Sequence, residues 1–442
     1  MNHQYLSRIE NLLNPAGNIL LNMSIAEAEE RVLSGDAKRV NKIDGQFAIM
    51  VSAGKTVRMA RSIGRPLRYF LAKQVDGPCL IVAERMDEIV AKLTEMGIAD
   101  QFHPSYTRMV PAHHVVQIEL LGCPDPNPKY VRFFTPDRNS LPADLDVIGQ
   151  KYVARLSQEC DRWLDTIPAS EPIGVLFSGG IDSGAVLIAI YDRLLKRGES
   201  PARLKAFTLR IDNSVGDAAQ AQEFVRKCHM EELLEIVDCK SDCLDWRETV
   251  RVLEDYKPLD VQSGTMAMAI CRELRNRYPD WKHLADGDGG DENLKDYPIE
   301  ENPELTIRSV LNNLMLYQEG WGVHAIKHSL TYSGGQSRGH IRTSAPAGHF
   351  GFSGFSPFAL PSVIEVAEAI PFIELTDWDH QKLYQLKGEV IRRGIRAVCN
   401  IEMPIFEKRR FQHGAINNER SMELFPKEEA AYRFEFLKMY QT

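Results

Sequence analysis

The chain has 442 residues, 44% of them hydrophobic, with 53 basic against 61 acidic side chains and a net charge of −8. This is enough chain for two domains with proper cores, and an acidic balance without a long basic run argues against free nucleic acid as a partner. No 18-residue apolar stretch is present and Met1 to Glu10 is polar, which argues against a membrane span or a secretory signal.

Leu6, Ile9, Leu12 and Leu13 follow a helical spacing that Asn14-Pro15-Ala16-Gly17 stops. A second helix is expected over Ile25 to Leu33, with Ser24 as N-cap and Glu27 three residues on, a capping box. The period then drops towards two. Gln46 to Val51 and Thr56 to Ala60 flank Ala53-Gly54-Lys55 and predict a β-hairpin, and further strands are expected at Arg68–Leu71, Cys79–Ala83 and His114–Leu121. Arg132 to Asp146, with Pro136 and Pro142, reads as a linker. The eight cysteines are scattered without a CxxC pair; Cys239-x3-Cys243 is the closest approach, so a zinc or iron–sulfur site has little support and a reduced, cytoplasmic protein is expected.

From Val147 a helix carrying Tyr152, Leu156 and Trp163 leads into the apolar run Ile173 to Phe177, a buried strand. Ser178-Gly179-Gly180-Ile181-Asp182-Ser183 follows, and Ala185 to Leu195 continues as an amphipathic helix. A strand that breaks into glycines and re-enters as a helix presents backbone N–H groups and a positive dipole end to an anion. Ser178 and Ser183 add hydroxyl donors. Asp182 would repel a phosphate unless a cation lay between them, so it is read as holding Mg²⁺ against a polyphosphate. A bare Ser-Gly-Gly can be any tight turn; the full pattern is far more specific, and it is neither a Gly-Lys-Ser/Thr P-loop nor a GxGxxG fingerprint. It resembles the pyrophosphate loop (PP-loop) of ATP pyrophosphatases, which implies ATP as cosubstrate and pyrophosphate as product.

Strand Leu204–Ile211, helix Asp217–Cys228 and strand Leu233–Val237 come next, an alternation that predicts a doubly wound parallel sheet with its ligand at the carboxyl ends of the strands. The run His283-Leu284-Ala285-Asp286-Gly287-Asp288-Gly289-Gly290-Asp291-Glu292 repeats the scheme of strand, glycine turn and carboxylates. A solvated acidic loop or a calcium loop is the alternative, although the EF-hand spacing is not met.

These segments together resemble the asparagine synthetase and β-lactam synthetase family. The fold implied is α/β: a C-terminal doubly wound parallel sheet of the PP-loop type (adenine nucleotide α-hydrolase-like) over 147–442, and a smaller, mostly β domain over 1–140. Ile43 to Ala48, Met59 to Leu67 and Val82 to Arg85 resemble the later half of a class II glutaminase, with Ser62 in place of an Asp; an unrelated small β domain is the alternative. Such glutaminases use an N-terminal cysteine, but the second residue here is Asn2 and the first cysteine Cys79, so glutamine hydrolysis is not expected and the domain reads as a truncated scaffold.

The resemblance implies that Leu176, Ser178, Gly179, Gly180, Asp182, Ser183, Leu209, Gly287 and Asp288 bind the nucleotide. Asp182 and Asp291 would hold Mg²⁺. In Glu254-Asp255-Tyr256-Lys257, Glu254 falls on the family's Glu-x-Tyr-Asp glutamate and would take the proton of the attacking amine, while Lys257 replaces an Asp and argues against aspartate as substrate; Glu254 could instead be a surface residue at a helix end. Lys408, in Glu407 to Gly414, matches the tail lysine that stabilises developing negative charge, with a plain basic cluster as the alternative. Tyr332 to His340 reads as an active-site lid or a disordered insertion, and His340, Arg342 and His349 as contacts for an anionic substrate. Phe355 to Pro361 resembles the family's Pro-Phe-Leu-Asp segment, and Lys387 to Arg393 its late helix.

The expected activity is AMP-forming ligation of a small-molecule or peptide carboxylate to ammonia or an amine. The nitrogen would be free ammonia, ammonia from a separate glutaminase, or an amine within the substrate, the last giving a lactam. A sulfurtransferase or tRNA-modifying adenylating enzyme and an inactive scaffold are the alternatives. A homodimer is compatible with the sequence, which does not decide the oligomeric state.

Overall fold

The computed structural model describes residues 8–74, 77–120, 127–296, 299, 306–312, 335–406 and 415–440, without the side chains of 335–339 and 418. Residues up to Thr135 make most of one compact unit, and residues 136–433 most of a second.

The first unit is built from strands β1 (Arg8–Asn11), β2 (Ile19–Leu20), β3 (Gly45–Gln46), β4 (Ala48–Ala53), β5 (Thr56–Arg61), β6 (Arg68–Gln74), β7 (Gly77–Ala83), β8 (Arg108–Met109), β9 (His114–Glu119) and β10 (Lys129–Arg132). Its helices are α1 (Ile25–Ser34), α2 (Ala37–Val40) and α3 (Met86–Glu95). Two four-stranded sheets, ordered β1-β7-β6-β8 and β10-β9-β5-β4, share a core in which Leu80, Val82 and Tyr69 meet Val57, Met59, Val116 and Ile118. Helix α1 lies against β4 and β5, and α3 against β6 and β7.

The expected capping box forms: Ser24 Oγ accepts from the Glu27 N–H, and Glu27 accepts from the Ser24 N–H. The expected hairpin forms too, closed by Gly54-Lys55 between the partners Ala53 and Thr56. The first predicted helix does not. Arg8–Asn11 is instead a strand paired parallel to β7, with Arg8 opposite Cys79 and the Leu12 N–H donating to Val82 O. A four-residue run carries too few turns to hold a helix alone, and a long-range ladder satisfies its backbone groups better.

The second unit runs α4 (Leu145–Asp165), β11 (Ile173–Leu176), α5 (Ile181–Lys196), β12 (Leu204–Ile211), α6 (Gly216–Cys228), β13 (Leu234–Cys239), α7 (Trp246–Leu253), α8 (Pro258–Arg277), β14 (His283–Ala285), α9 (Gly290–Leu294), α10 (Ile307–Asn312), α11 (Gly335–His349), β15 (Ser353–Phe355), α12 (Pro361–Glu368), α13 (Phe372–Thr376) and α14 (His380–Cys399). The sheet is wholly parallel, in the order β13-β12-β11-β14-β15. Phe207, Leu209 and Ile211 of β12 share a core with Met266, Ile270 and Leu274 of α8, while α4, α5 and α14 pack against one another. Helix α8 carries no readable period in the sequence, because Val261 and the run Gly264 to Cys271 are buried without a polar stripe.

The chain passes from β11 to β12 and β13 on one side, then returns to place β14 and β15 on the other. The switch in strand order therefore lies between β11 and β14. In an open parallel sheet, that is where the loops at the carboxyl ends diverge and leave a crevice.

Candidate functional site

The loops leaving β11 and β14 meet at this crevice. Gly179 takes φ +75°, and a Cβ there would come within 2.7 Å of the Ala221 N, so this corner accepts only glycine. Ser183 Oγ accepts from the Ser178 N–H at 3.3 Å, and Ser178 Oγ accepts from the Gly180 N–H at 3.3 Å. Gly180 caps α5 without a side-chain hydrogen bond, leaving the first turn of a 16-residue helix aimed into the crevice. Phe177 is tied to β12, its N–H donating to Phe207 O and its carbonyl accepting from Thr208 Oγ1 at 2.7 Å.

The second loop packs directly onto the first. A Cβ on Gly287 would lie 2.6 Å from the Ser183 N, and one on Gly290 would strike the Asp182 carboxyl group. Asn293 fixes α9 by donating to Tyr152 Oη at 3.1 Å and to Phe358 O at 3.0 Å. The outcome is that Asp182 and Asp291, 109 residues apart in the chain, reach one ammonium. Lys387 Nζ lies 2.6 Å from Asp182 Oδ2, touches Asp291 Oδ1 and lies 3.5 Å from Asp296 Oδ2, and Lys387 itself is 2% exposed. Burial opposes its charge, but these three carboxylates outweigh it and hold the ammonium well above its ordinary pKa.

A second acidic group lies alongside. Ser356 Oγ donates to Asp286 Oδ1 at 2.6 Å, so its oxygen accepts from His340 Nδ1 at 2.9 Å, and the Asp288 N–H also donates to Asp286 Oδ1. Burial pushes Asp286 up to about 7 against the pull of these hydrogen bonds. Asp288 is driven well up by burial and then by Asp286, and Glu292 is raised by burial and Asp291. Arg342 Nε donates to Asp260 Oδ1 at 2.6 Å; burial disfavours the guanidinium charge, while Asp260, Glu292 and Asp288 more than restore it.

The structure thus brings together Ser178, Gly179, Gly180, Asp182, Ser183, Gly287, Asp288 and Asp291. Leu176 ends β11 beside them and packs against the same apolar core under α8 that holds the Leu209 side chain. Glu254 is the C-cap of α7 with φ 52°, and it is 2% exposed, a buried position rather than a surface one. It opens the turn into α8, where Asp255 accepts from the N–H groups of Tyr256 and Lys257, and Asp260 in the first turn of α8 joins Arg342 to the acidic group. Lys257 pairs with Glu429 at 2.8 Å.

Lys408 and the segment Glu407 to Gly414 lie outside the described residues, as do Tyr332 to Gly334 of the expected lid. His340 faces Ser356, Arg342 faces Asp260, and His349 stands 3.9 Å from Glu248 and edge-on to Phe350. Cys239 and Cys243 are both free thiols.

Lys387 is the residue that sequence reasoning passed over. Its helix drew attention, but a lysine on an amphipathic helix ordinarily snorkels to water, and the packing of α14 on α4 and α5 carries this one into the crevice. A cavity of about 650 Å³ lined by Glu171, Arg275, Trp281 and Lys282 lies at the opposite, amino ends of β11 and β14. Among the described residues no helix is long and apolar enough to cross a membrane.

Residues 166–343 match the family described as asparagine synthase. No curated protein is similar enough to the chain to serve as a relative.

Proposed function

We propose, for a chain that carries an asparagine synthase-family domain at residues 166–343, that this ATP-dependent, amide-forming architecture adenylates a carboxylic acid and passes the acyl group to a nitrogen nucleophile. The observation that carries the reading is the convergence of Asp182, Asp291 and Lys387 at the switch between β11 and β14, directly beside the glycine loop.

The loop N–H groups and the Ser178 and Ser183 hydroxyls suit the leaving pyrophosphate, since they donate to oxygens and stand at a helix N-terminus. In the first step the substrate carboxylate attacks the α-phosphorus, the bond to the β-phosphate oxygen breaks, and pyrophosphate departs. In the second step the nitrogen attacks the acyl carbon, AMP leaves, and the surplus proton needs a base. Glu254, buried at the mouth of α8, is our choice for that base.

The residues present fit Mg²⁺. Two carboxylates from separate loops already share one cation position, and Mg²⁺ usually takes one or two carboxylates and completes its shell with phosphate oxygens and water. Without such an ion the carboxylates of Asp182 and Asp291 would oppose a bare triphosphate. When bound, the ion supplies charge neutralisation at the leaving phosphates.

The β-rich first unit supports a reading as a glutaminase-type scaffold that does not release ammonia itself. Cys79 is fully buried on β7 and burial raises its thiol, the opposite of an activated nucleophile. Nitrogen then comes as free ammonia, from a separate glutaminase, or from an amine of the substrate.

Nucleotide product analysis tests the reading. Incubation with ATP, Mg²⁺, ammonium and fractionated metabolite extract should give AMP and pyrophosphate only in fractions that contain the acid. Formation of ADP, or a folded Asp182→Ala variant that still releases pyrophosphate, would overturn it.

A further inference from the structure

Lys387 stands where the proposed chemistry wants a metal. Its ammonium touches Asp291, lies 2.6 Å from Asp182 and 3.5 Å from Asp296, and is shut off from water at 2% exposure. Two aspartates that would otherwise repel each other thereby share one cation.

We propose that Lys387 is an internal counter-ion that makes entry of the divalent cation conditional on the nucleotide. This rests on the adenylating reading above and adds an order of binding to it. A metal ion arriving alone has to expel a buried ammonium from two carboxylates, and among the described residues Asp296 at 3.5 Å and the more distant Glu292 are then left to balance that ammonium. A buried charge that loses its partner carries a large penalty. A triphosphate removes the penalty, because its oxygens give the ammonium a new anion while Asp182 and Asp291 turn to the metal. The four-carbon stem of lysine permits a shift of a few ångströms without movement of α14. The helix itself is held: a Cβ on Gly149 of α4 would come 2.6 Å from Val390 O and 2.9 Å from Gly394 N, so α4 and α14 are in backbone contact one to two turns beyond Lys387. Binding of nucleotide and metal is therefore coupled through one side chain, and by linkage each strengthens the other.

The test is a titration of the full chain with Mn²⁺, followed by the electron spin resonance of the free ion, with and without the non-cleavable α,β-methylene analogue of ATP. The wild-type protein should take up Mn²⁺ at this site only with the analogue present. Lys387→Gln should bind Mn²⁺ without nucleotide about tenfold or more tightly than wild type, and Lys387→Arg, which keeps the charge, should stay weak. Nucleotide-free affinity in a folded Lys387→Gln protein no higher than in wild type would overturn the proposal. So would a wild-type protein that binds Mn²⁺ equally well with and without the analogue, a result that stands even if the glutamine variant fails to fold. Failure of the analogue to bring Mn²⁺ to any of the proteins would instead remove the adenylating reading, and the binding order with it.

Discussion

Asp286 shows how far burial moves a carboxyl group when its hydrogen bonds resist. Its ordinary value is 3.8 and the crevice raises it to about 7, with Ser356 and the Asp288 N–H pulling the other way. The folded state therefore holds a proton that the unfolded state has already released, and stability falls as pH rises from about 4 to about 7. Asp286→Asn keeps an acceptor for Ser356 and removes the titration. Its urea midpoint, relative to wild type, should gain steadily as pH rises from about 4 to about 7 and level off above that. Glu254 offers a kinetic test at the same scale. Glu254→Gln should leave acid-dependent exchange of pyrophosphate into ATP nearly unchanged and lower amide formation by about 10²-fold or more. Loss of both in equal measure would assign Glu254 to the first step instead.

At the scale of elements, the crossing of α4 and α14 decides where Lys387 lies. Gly149→Ala would gain about 1 kcal/mol in helix propensity, but overpacking against the Val390 carbonyl costs about 1–3 kcal/mol. A net loss in thermal stability is expected, with a larger loss of pyrophosphate release as the crossing widens. The turn after α9 carries a second constraint. Lys295, fully buried with φ 57°, pairs with Glu368 at 2.7 Å, and Glu368 also accepts from Arg138 Nε at 2.8 Å. Burial lowers the Lys295 pKa, and Glu368 only partly offsets it. Breaking a buried pair costs about 3–5 kcal/mol; because Arg138 remains, Lys295→Met should fall at the low end in a denaturant titration.

For the molecule as a whole, ligand linkage gives the broadest test. Mg²⁺ and ATP together, at about 100 times their dissociation constant, should stabilise the folded chain by about 2.7 kcal/mol, with Mg²⁺ alone giving far less. A melting curve with each component in turn reads this directly. Asp182→Ala and Asp291→Ala should each abolish the joint effect and also lower the ligand-free melting curve, because each removes a carboxylate that balances the buried Lys387 ammonium.

The strand, the glycine turn, the helix and the paired carboxylates were legible because each is a local pattern. Gly179 has to be glycine for its own φ, Ser24 and Glu27 cap within one turn, and β12 is a mostly apolar run buried along most of its length. The same locality explains the errors. Arg8–Asn11 became a strand because β7, some 70 residues on, offered a ladder, and α8 was missed because a helix buried on all sides has no periodic polar face. What only the tertiary structure decided is which loops face each other. Local pattern sufficed for the glycine loop and the acidic turn; the order β13-β12-β11-β14-β15 set them side by side, and the packing of α14 on α4 and α5 brought Lys387 between them. A cation's role depends on the charges within a few ångströms of it, and here those charges come from positions 182, 291 and 296 while the lysine is at 387.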